Sequence, residues 1–491
     1  MADEHNGRSY VLEPLDTSGV FLGLSAVQCA LIGGGITLAV LMVTAQMPAL
    51  AAAVPVGIAG AVSFGRARGH PAWQWLPLGM SWLWATGTRG RRWTALLPLW
   101  PTDDGKPAQL PACLAGLDII EVAWQPDKTL GAVRDRHGHA LTAIVPIRGP
   151  EFVLQPPGEQ DRLVVGWADV LGQLAAADGL AHVSWSMLAR PSGMEEHRSW
   201  LRGRWDGDLG NFDPGYDELV DVASRATATH DATVSLTVDR DKVHRLRTEQ
   251  PASSDPLGYA LVVAVESLLR SCQSAGLQAE PPLDPPAIHR LVRTWVDPSQ
   301  VSPPGRLGER LGLVSAAAGP LVMDTAWDRV RIDGAWHRTY WVASWPRLHV
   351  PASWLEPFLS AGQVTRAMTV VFVPVSSYQS RRRIQRDLVK LESDAATKEE
   401  KGRRVDARHH RATQALLDRE QELVAGYVEM AYVGLVTVSA TFEAELEDHA
   451  AVVEQLAREA AIDLRPLDGR QDIAWAAALP LGLAPRSLLA G

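Results

Sequence analysis

Residues 17–65 read TSGVFLGLSAVQCALIGGGITLAVLMVTAQMPALAAAVPVGIAGAVSFG, 49 positions without one Asp, Glu, Lys, Arg or His. A helix needs roughly 20 apolar residues to cross a hydrocarbon core of about 30 Å, so a run of this length predicts two crossings. The break falls at Gln46-Met47-Pro48, with a transmembrane helical hairpin over 24–65. The leader, 1–23, carries Asp3, Glu4, Glu13 and Asp16 against Arg8. A cleaved signal peptide opens with a basic region instead. Beyond the hairpin stand Arg66, Arg68, Arg89, Arg91 and Arg92, with no acid before Trp100. Positive residues stay on the cytoplasmic side of a membrane, which predicts a multi-pass cell-membrane protein with both termini cytoplasmic.

Two finer patterns surround that run. Ala53, Gly57, Ala61 and Gly65 recur every fourth residue, and small residues at that spacing let helices approach closely. Tryptophan is the commonest aromatic residue, 18 against seven each of Tyr and Phe, and a third of it lies between 73 and 100. Trp73, Trp75, Trp82, Trp84 and Trp93, interleaved with the arginines above, predict an interfacial segment over 66–106 lying along the inner leaflet.

The rest of the chain has a different character. Its 491 residues exceed one ordinary domain, and the net charge of −9 argues against a whole-chain electrostatic binder of nucleic acid. Local basic clusters leave the question of nucleic-acid contact open. Three scattered cysteines, Cys29, Cys113 and Cys272, exclude a disulfide framework and the paired-Cys zinc patterns. Leu117–Trp124 and Gly131–Arg148 alternate in period two about the turn Asp135-Arg136-His137-Gly138, and a helix from Gly158 to Ala176 precedes a strand at Ala181–Leu188. These elements predict a first α+β domain over 107–280. The pairs Pro281-Pro282, Pro285-Pro286 and Pro303-Pro304 mark a stiff connector.

A second α+β domain over 306–484 repeats the logic of the first. It has a hairpin about Asp333-Gly334, an apolar strand at Ala367–Val375, a strand at Gly434–Phe442 and a helix from Glu443 to Ala461. Its distinguishing feature is an arm, 380–420, in which half the residues are charged. Glu399 with Arg403 and Glu400 with Arg404 have helix-pair spacing, and Ile384, Leu388 and Leu391 form a sparse apolar stripe. Arg381, Arg382, Arg383 and Arg386 are its candidate partner-docking residues. The predicted fold class is therefore α+β: a transmembrane hairpin, then two cytoplasmic ferredoxin-like-type units, the second with a long charged helical insertion.

Catalytic signatures are missing. Gly105-Lys106 is followed by Pro107 and lacks the upstream glycine of a P-loop, and G-x-S-x-G and H-E-x-x-H do not occur. His137-Gly138-His139 brings no third metal ligand, so no cofactor, metal or catalytic residue is expected.

The hairpin run, the juxtamembrane pieces Trp75-Leu76-Pro77, Trp82-Leu83-Trp84 and Arg91-Arg92-Trp93, and later pieces in the second domain together carry a resemblance. The later pieces are Asp333-Gly334-Ala335-Trp336-His337, Trp345-Pro346-Arg347, Gly434 to Ala440 and Leu479-Pro480-Leu481-Gly482. With them the chain resembles actinobacterial membrane proteins of conjugation-type type IV secretion clusters, whose N-terminus is PrgI-like. The soluble part is similar to the N-terminal region of TrbE/CagE-type ATPases, without their motor domain. The resemblance implies a non-enzymatic inner-membrane structural component, part of an oligomeric complex with other channel subunits and a separate motor ATPase. An EccE-like type VII secretion component and a membrane-tethered enzyme acting on lipid or envelope substrates are the alternatives.

Overall fold

The computed structural model describes residues 26–67, 70–71, 75, 78–80, 82–84, 91–95, 110–149, 152–191, 216, 218–220, 222–223, 228–243, 255–298, 319–346, 350–400, 407–424 and 428–483. Its chain divides into two compact units, one over Pro14–Arg92 and the other holding Trp93–Gly491.

In the smaller unit the described part of the charge-free run, from Ala26 on, folds as two packed helices, α1 (Ala26–Thr44) and α2 (Ala49–Phe64). Gln46 takes a left-handed φ of 58° in the turn, and Pro48 caps α2. The helices meet at Gly35, where a Cβ would lie 2.6 Å from the Ala59 methyl and 3.1 Å from the Pro55 carbonyl oxygen. Two short strands, β1 (Arg66–Ala67) and β2 (His70–Pro71), pair antiparallel after α2. The two-crossing anchor is corrected here: among the described residues, no helix is long and apolar enough to cross a membrane. α2 has only 16 residues, with Pro55 inside it, against the roughly 20 that a crossing needs, so the pair of crossings is not made. The multi-pass membrane placement and the cytoplasmic orientation drawn from it lose their support with it.

The larger unit is built on one 13-stranded sheet. Its first half contains β3 (Arg92–Thr94), β4 (Asp118–Gln125), β5 (Lys128–Arg134), β6 (Ala140–Arg148), helix α3 (Pro157–Ala175), β7 (Leu180–Pro191), β8 (Ala228–Asp239), α4 (Pro256–Ser274), β9 (Gln278–Ala279) and α5 (Pro285–Val296). Its second half contains β10 (Val322–Thr325), β11 (Val330–Ile332), β12 (Ala335–Ser344), α6 (Glu356–Ser360), β13 (Arg366–Pro374), α7 (Ser377–Glu400), α8 (Ala407–Val424), β14 (Met430–Ala440), α9 (Glu443–Glu459), β15 (Asp463–Pro466) and α10 (Gln471–Ala478).

Counted outward from the centre, one half runs β7-β8-β6-β5-β4 and the other β13-β14-β12-β11-β10. Ranked by chain position, the two orders are the same. The correspondence extends further: β9 pairs with β6 as β15 pairs with β12, and α4 follows β8 as α9 follows β14. The halves are thus a tandem repeat about a pseudo-two-fold axis at the sheet centre. There β7 and β13 pair antiparallel, from Arg366 opposite Ala189 to Phe372 opposite Val183. The expected pair of separate ferredoxin-like units is corrected to one continuous sheet, for a physical reason. Each half ends in a long apolar strand, and such an edge is a pairing template unless something covers it. Each half covers the other's.

Alternation in period two gives the sheet two different faces. One face is apolar and lies under helices: Leu141, Val145, Val234 and Leu236 pack with Leu261 and Leu268 of α4. In the other half Tyr340, Val370, Val436 and Val438 pack with Leu446 and Val453 of α9. The opposite face is covered by α5, α10 and the segment after α10, through Ile288, Val292, Trp475, Leu479 and Leu481. Pro285-Pro286, expected in a stiff connector, instead opens α5. Asp284 caps it by accepting from the Ala287 amide at 2.8 Å, and proline suits a first helical turn. Gly131 admits this helix start, since a Cβ there would lie 2.8 Å from Pro285 N. Pro303-Pro304 falls outside the described residues.

Candidate functional site

On the face away from α4 and α9 the strands present hydroxyls where a core would ordinarily present aliphatics. Thr142 on β6 and Thr237 on β8 share a hydrogen bond of 2.9 Å, and their counterparts in the repeat, Thr339 on β12 and Thr437 on β14, share one of 3.0 Å. All four are buried. Buried polar groups need partners, and the carboxy-terminal segment supplies several. Ser235 Oγ donates to the Pro480 carbonyl at 2.8 Å, and Thr369 Oγ1 to the Ala478 carbonyl at 2.6 Å. Gln471, at the start of α10, accepts from the Thr339 amide and donates to its carbonyl, at 2.8 and 3.2 Å. Gly482, with φ 74°, lies over the Thr142–Thr237 pair so closely that a Cβ would collide with both hydroxyls.

His337 is the most constrained of these groups. Its Nε2 lies 3.1 Å from the Val296 carbonyl, which only accepts, so Nε2 carries the proton. Nδ1 is then the acceptor of the Ser439 hydroxyl at 2.8 Å. The Trp475 ring lies 5.9 Å from the imidazole. Burial brings the His337 pKa down to about 4, against the upward pull of the Val296 hydrogen bond, Asp297 and Asp333. A serine hydroxyl on a neutral imidazole is the pairing a nucleophile uses. Here His337 is 0% and Ser439 4% exposed, and a base that protonates near pH 4 accepts a proton poorly at neutrality. The pair holds β12 to β14 and to the end of α5.

Ser439 also lines a cavity of about 240 Å³ at the ends of β7, β12, β13 and β14, together with Arg190, Thr365, Glu445 and His449. Its charges are matched internally. Arg190 bridges to Asp231 at 3.1 Å, and His449 lies 3.7 Å from Glu445 while its Nδ1 donates to the Ser439 carbonyl at 3.2 Å. Nearby, Arg338 forms a two-pronged pair with Glu447 at 2.6 and 2.9 Å and reaches Asp328 at 3.0 Å. Arg366, fully buried, donates to the Phe358, Leu359, Ala361 and Val364 carbonyls, and burial lowers its pKa to about 10. These arginines tie loops and helices to the sheet.

The residues singled out from the sequence are scattered by the fold. Arg91 stacks over the Trp82 ring at 3.4 Å, Trp75 is half-buried and Trp84 is exposed. The Arg66 backbone lies in β1, Arg92 and Trp93 lie in β3, and Arg68, Trp73 and Arg89 fall outside the described residues. Ala53, Gly57 and Ala61 face outward and Gly65 ends α2 half-buried, whereas the helix contact is made by Gly35, Pro55 and Ala59. His137 and His139 sit at a turn with ring centroids 6.4 Å apart, and no metal-ligand group of three occurs among the described residues. Burial raises the Cys113 thiol to about 12 and the Cys272 thiol to about 11, so both stay protonated.

Arg381, Arg382, Arg383 and Arg386 are all exposed on α7. α7 and α8 pack chiefly against one another, as an arm inserted between β13 and β14. Ile384 and Leu391 are buried beneath them. Glu399, Glu400, Arg403 and Arg404 fall outside the described side chains. Arg190, His449 and Arg366 escaped the sequence reading. Their only signal there is polarity at the end of a strand or within a helix, which solvent-facing residues share.

No protein-family model matches the chain, and no curated protein matches it.

Proposed function

We propose that the chain is a non-enzymatic assembly subunit of a type IV secretion or conjugation apparatus that docks a separate motor ATPase. One observation carries the docking: a 24-residue helix and an 18-residue helix leave the sheet between β13 and β14, with four exposed arginines on the first. An arm that packs chiefly on itself contributes little to the core and is free to contact another protein. Its charged surface suits a polar, steered interface, in which complementary charge sets specificity and association rate. The buried hydroxyl and histidine network supports the non-enzymatic part, because its polar groups are engaged in holding strands, helices and the carboxy-terminal segment together.

The test is co-expression with the motor ATPase of a type IV secretion cluster, followed by co-purification at low and high salt. The unaltered chain is expected to retain the ATPase. The variant with Arg381, Arg382, Arg383 and Arg386 all changed to Glu is expected to retain at least about tenfold less, at an unchanged thermal midpoint. Isolation of the chain alone, or retention insensitive to the four reversals, contradicts the docking.

A further inference from the structure

The pseudo-two-fold repeat makes the two outer edges of the sheet comparable, and they are treated differently. β10, at one end, is covered: β3 lies alongside it, and the Ala95 amide donates to the Leu321 carbonyl at 2.8 Å. Its counterpart β4, at the other end, pairs only with β5 among the described residues. Among the described residues, nothing pairs with the outward N–H and C=O groups of β4, which makes this edge a template for one more strand. Beside this edge runs a groove of about 590 Å³ between β4 and α4.

The lining of that groove specifies an occupant. Tyr259 and Val263 of α4 are 39% and 37% exposed along it, and Trp124 of β4 lines it with an indole Nε1 that is buried without an acceptor. Glu121, Asp255 and Glu266 surround them. Among the described residues no Lys or Arg pairs with any of the three. In the repeat, α9 faces the opposite situation: its Glu443 and Glu447 are taken by Arg329 and Arg338 from the chain itself. Among the described residues, the β10 edge has the chain's own extra strand and α9 its own arginines, whereas the β4 edge and its groove have neither.

We infer that the outer edge of β4 and its groove dock an extended, basic segment of a partner protein by strand addition, with an aromatic or aliphatic side chain against Tyr259 and Val263. Main-chain pairing supplies affinity and the alternate side chains supply selectivity. The stretch that occupies the counterpart edge is itself of this type, since β3 includes Arg92-Trp93-Thr94. The docking surface is separate from the α7–α8 arm, so it stands or falls independently of the ATPase reading.

The probe is a fluorescent synthetic peptide of residues 89–95, Arg-Gly-Arg-Arg-Trp-Thr-Ala, titrated with the full chain and followed by anisotropy. The tethered β3 keeps its own site on β10, because a covalently linked segment acts at an effective concentration in the millimolar range. Saturable binding is expected, weakened at least about tenfold by Glu121→Lys combined with Glu266→Lys and also by raised salt. A peptide with its arginines replaced by glutamate is expected not to bind, which tests the charge match without altering the protein. Peptides N-methylated on alternate amides should lose binding in one of the two alternating sets, since only one set of amides faces the edge. Absence of saturable binding, equal binding of the acidic peptide, or indifference to both methylation sets overturns the proposal.

Discussion

His337 shows how a single side chain links the fold to pH. Its imidazole is neutral because burial disfavours the charged form more than the Val296 hydrogen bond, Asp297 and Asp333 favour it. The folded pKa, about 4, lies below the unfolded value of about 6.5, so between these values the unfolded chain binds the extra proton. The contribution to stability is fully present above about pH 6.5 and is lost as pH falls towards 4, on the order of 3 kcal/mol in total. Urea unfolding at pH 7.5 and 4.5 measures it. The His337→Gln variant is expected to lose that part of the pH dependence and to be less stable than the unaltered chain at pH 7.5. A pH slope unchanged by the substitution contradicts the assignment. The residue was visible in the sequence within Asp333-Gly334-Ala335-Trp336-His337, but its role was not. Alternation places it on the side opposite Trp336 without saying that this side is buried too.

At the scale of elements, the hairpins were the most legible feature, because turn chemistry is local. Asp135-Arg136-His137-Gly138 and Asp333-Gly334 both turn where expected, with Gly138 at φ 64° and Asp333 at φ 51°. Asp333 adds a tertiary contact, accepting from the Leu321 and Val322 amides at 2.8 Å each and pairing with Arg293. The helix-packing stripe was less legible. Ala53, Gly57 and Ala61 satisfy a spacing rule that Gly35, Pro55 and Ala59 satisfy in space, and a spacing rule does not state which face is used. The carboxy-terminal Leu479-Pro480-Leu481-Gly482 was notable only by resemblance, since no local propensity marks it. In the fold it is a strap over buried hydroxyls, and its glycine is needed for both backbone sign and space. Gly482→Ala is expected to destabilise the larger unit by roughly 2–3 kcal/mol, from a left-handed φ and overpacking against Thr142 and Thr237. A thermal or urea midpoint indistinguishable from the unaltered chain contradicts the strap's role.

At the scale of the whole chain, the repeat was partly legible, because matching orders of strands and helices recur in both halves of the sequence. Fusion of the halves was not legible. Whether an apolar strand sits at an edge or a centre depends on what the rest of the chain brings beside it, which a 2-residue period does not encode. The same limit governs the hairpin of α1 and α2. Hydropathy counts apolar residues, whereas a span depends on where a helix starts, stops and meets Pro55. The seam between β7 and β13 has a testable thermodynamic consequence. Val371 lies opposite Ser184 on one side and Val433 on the other, so its backbone stands between two ladders. With no interruption in the sheet, amides of β6 in one half and of β14 in the other should become exchange-labile at a common denaturant concentration. Val371→Pro removes a ladder donor in a central strand, a position that proline does not occupy in an intact sheet. That variant should lose protection first in β13 and β14, while β6 and β8, which retain α4 and β9, open at a higher concentration. Separate opening of the two halves in the unaltered chain would show instead that the repeats are stable individually and that the seam only joins them.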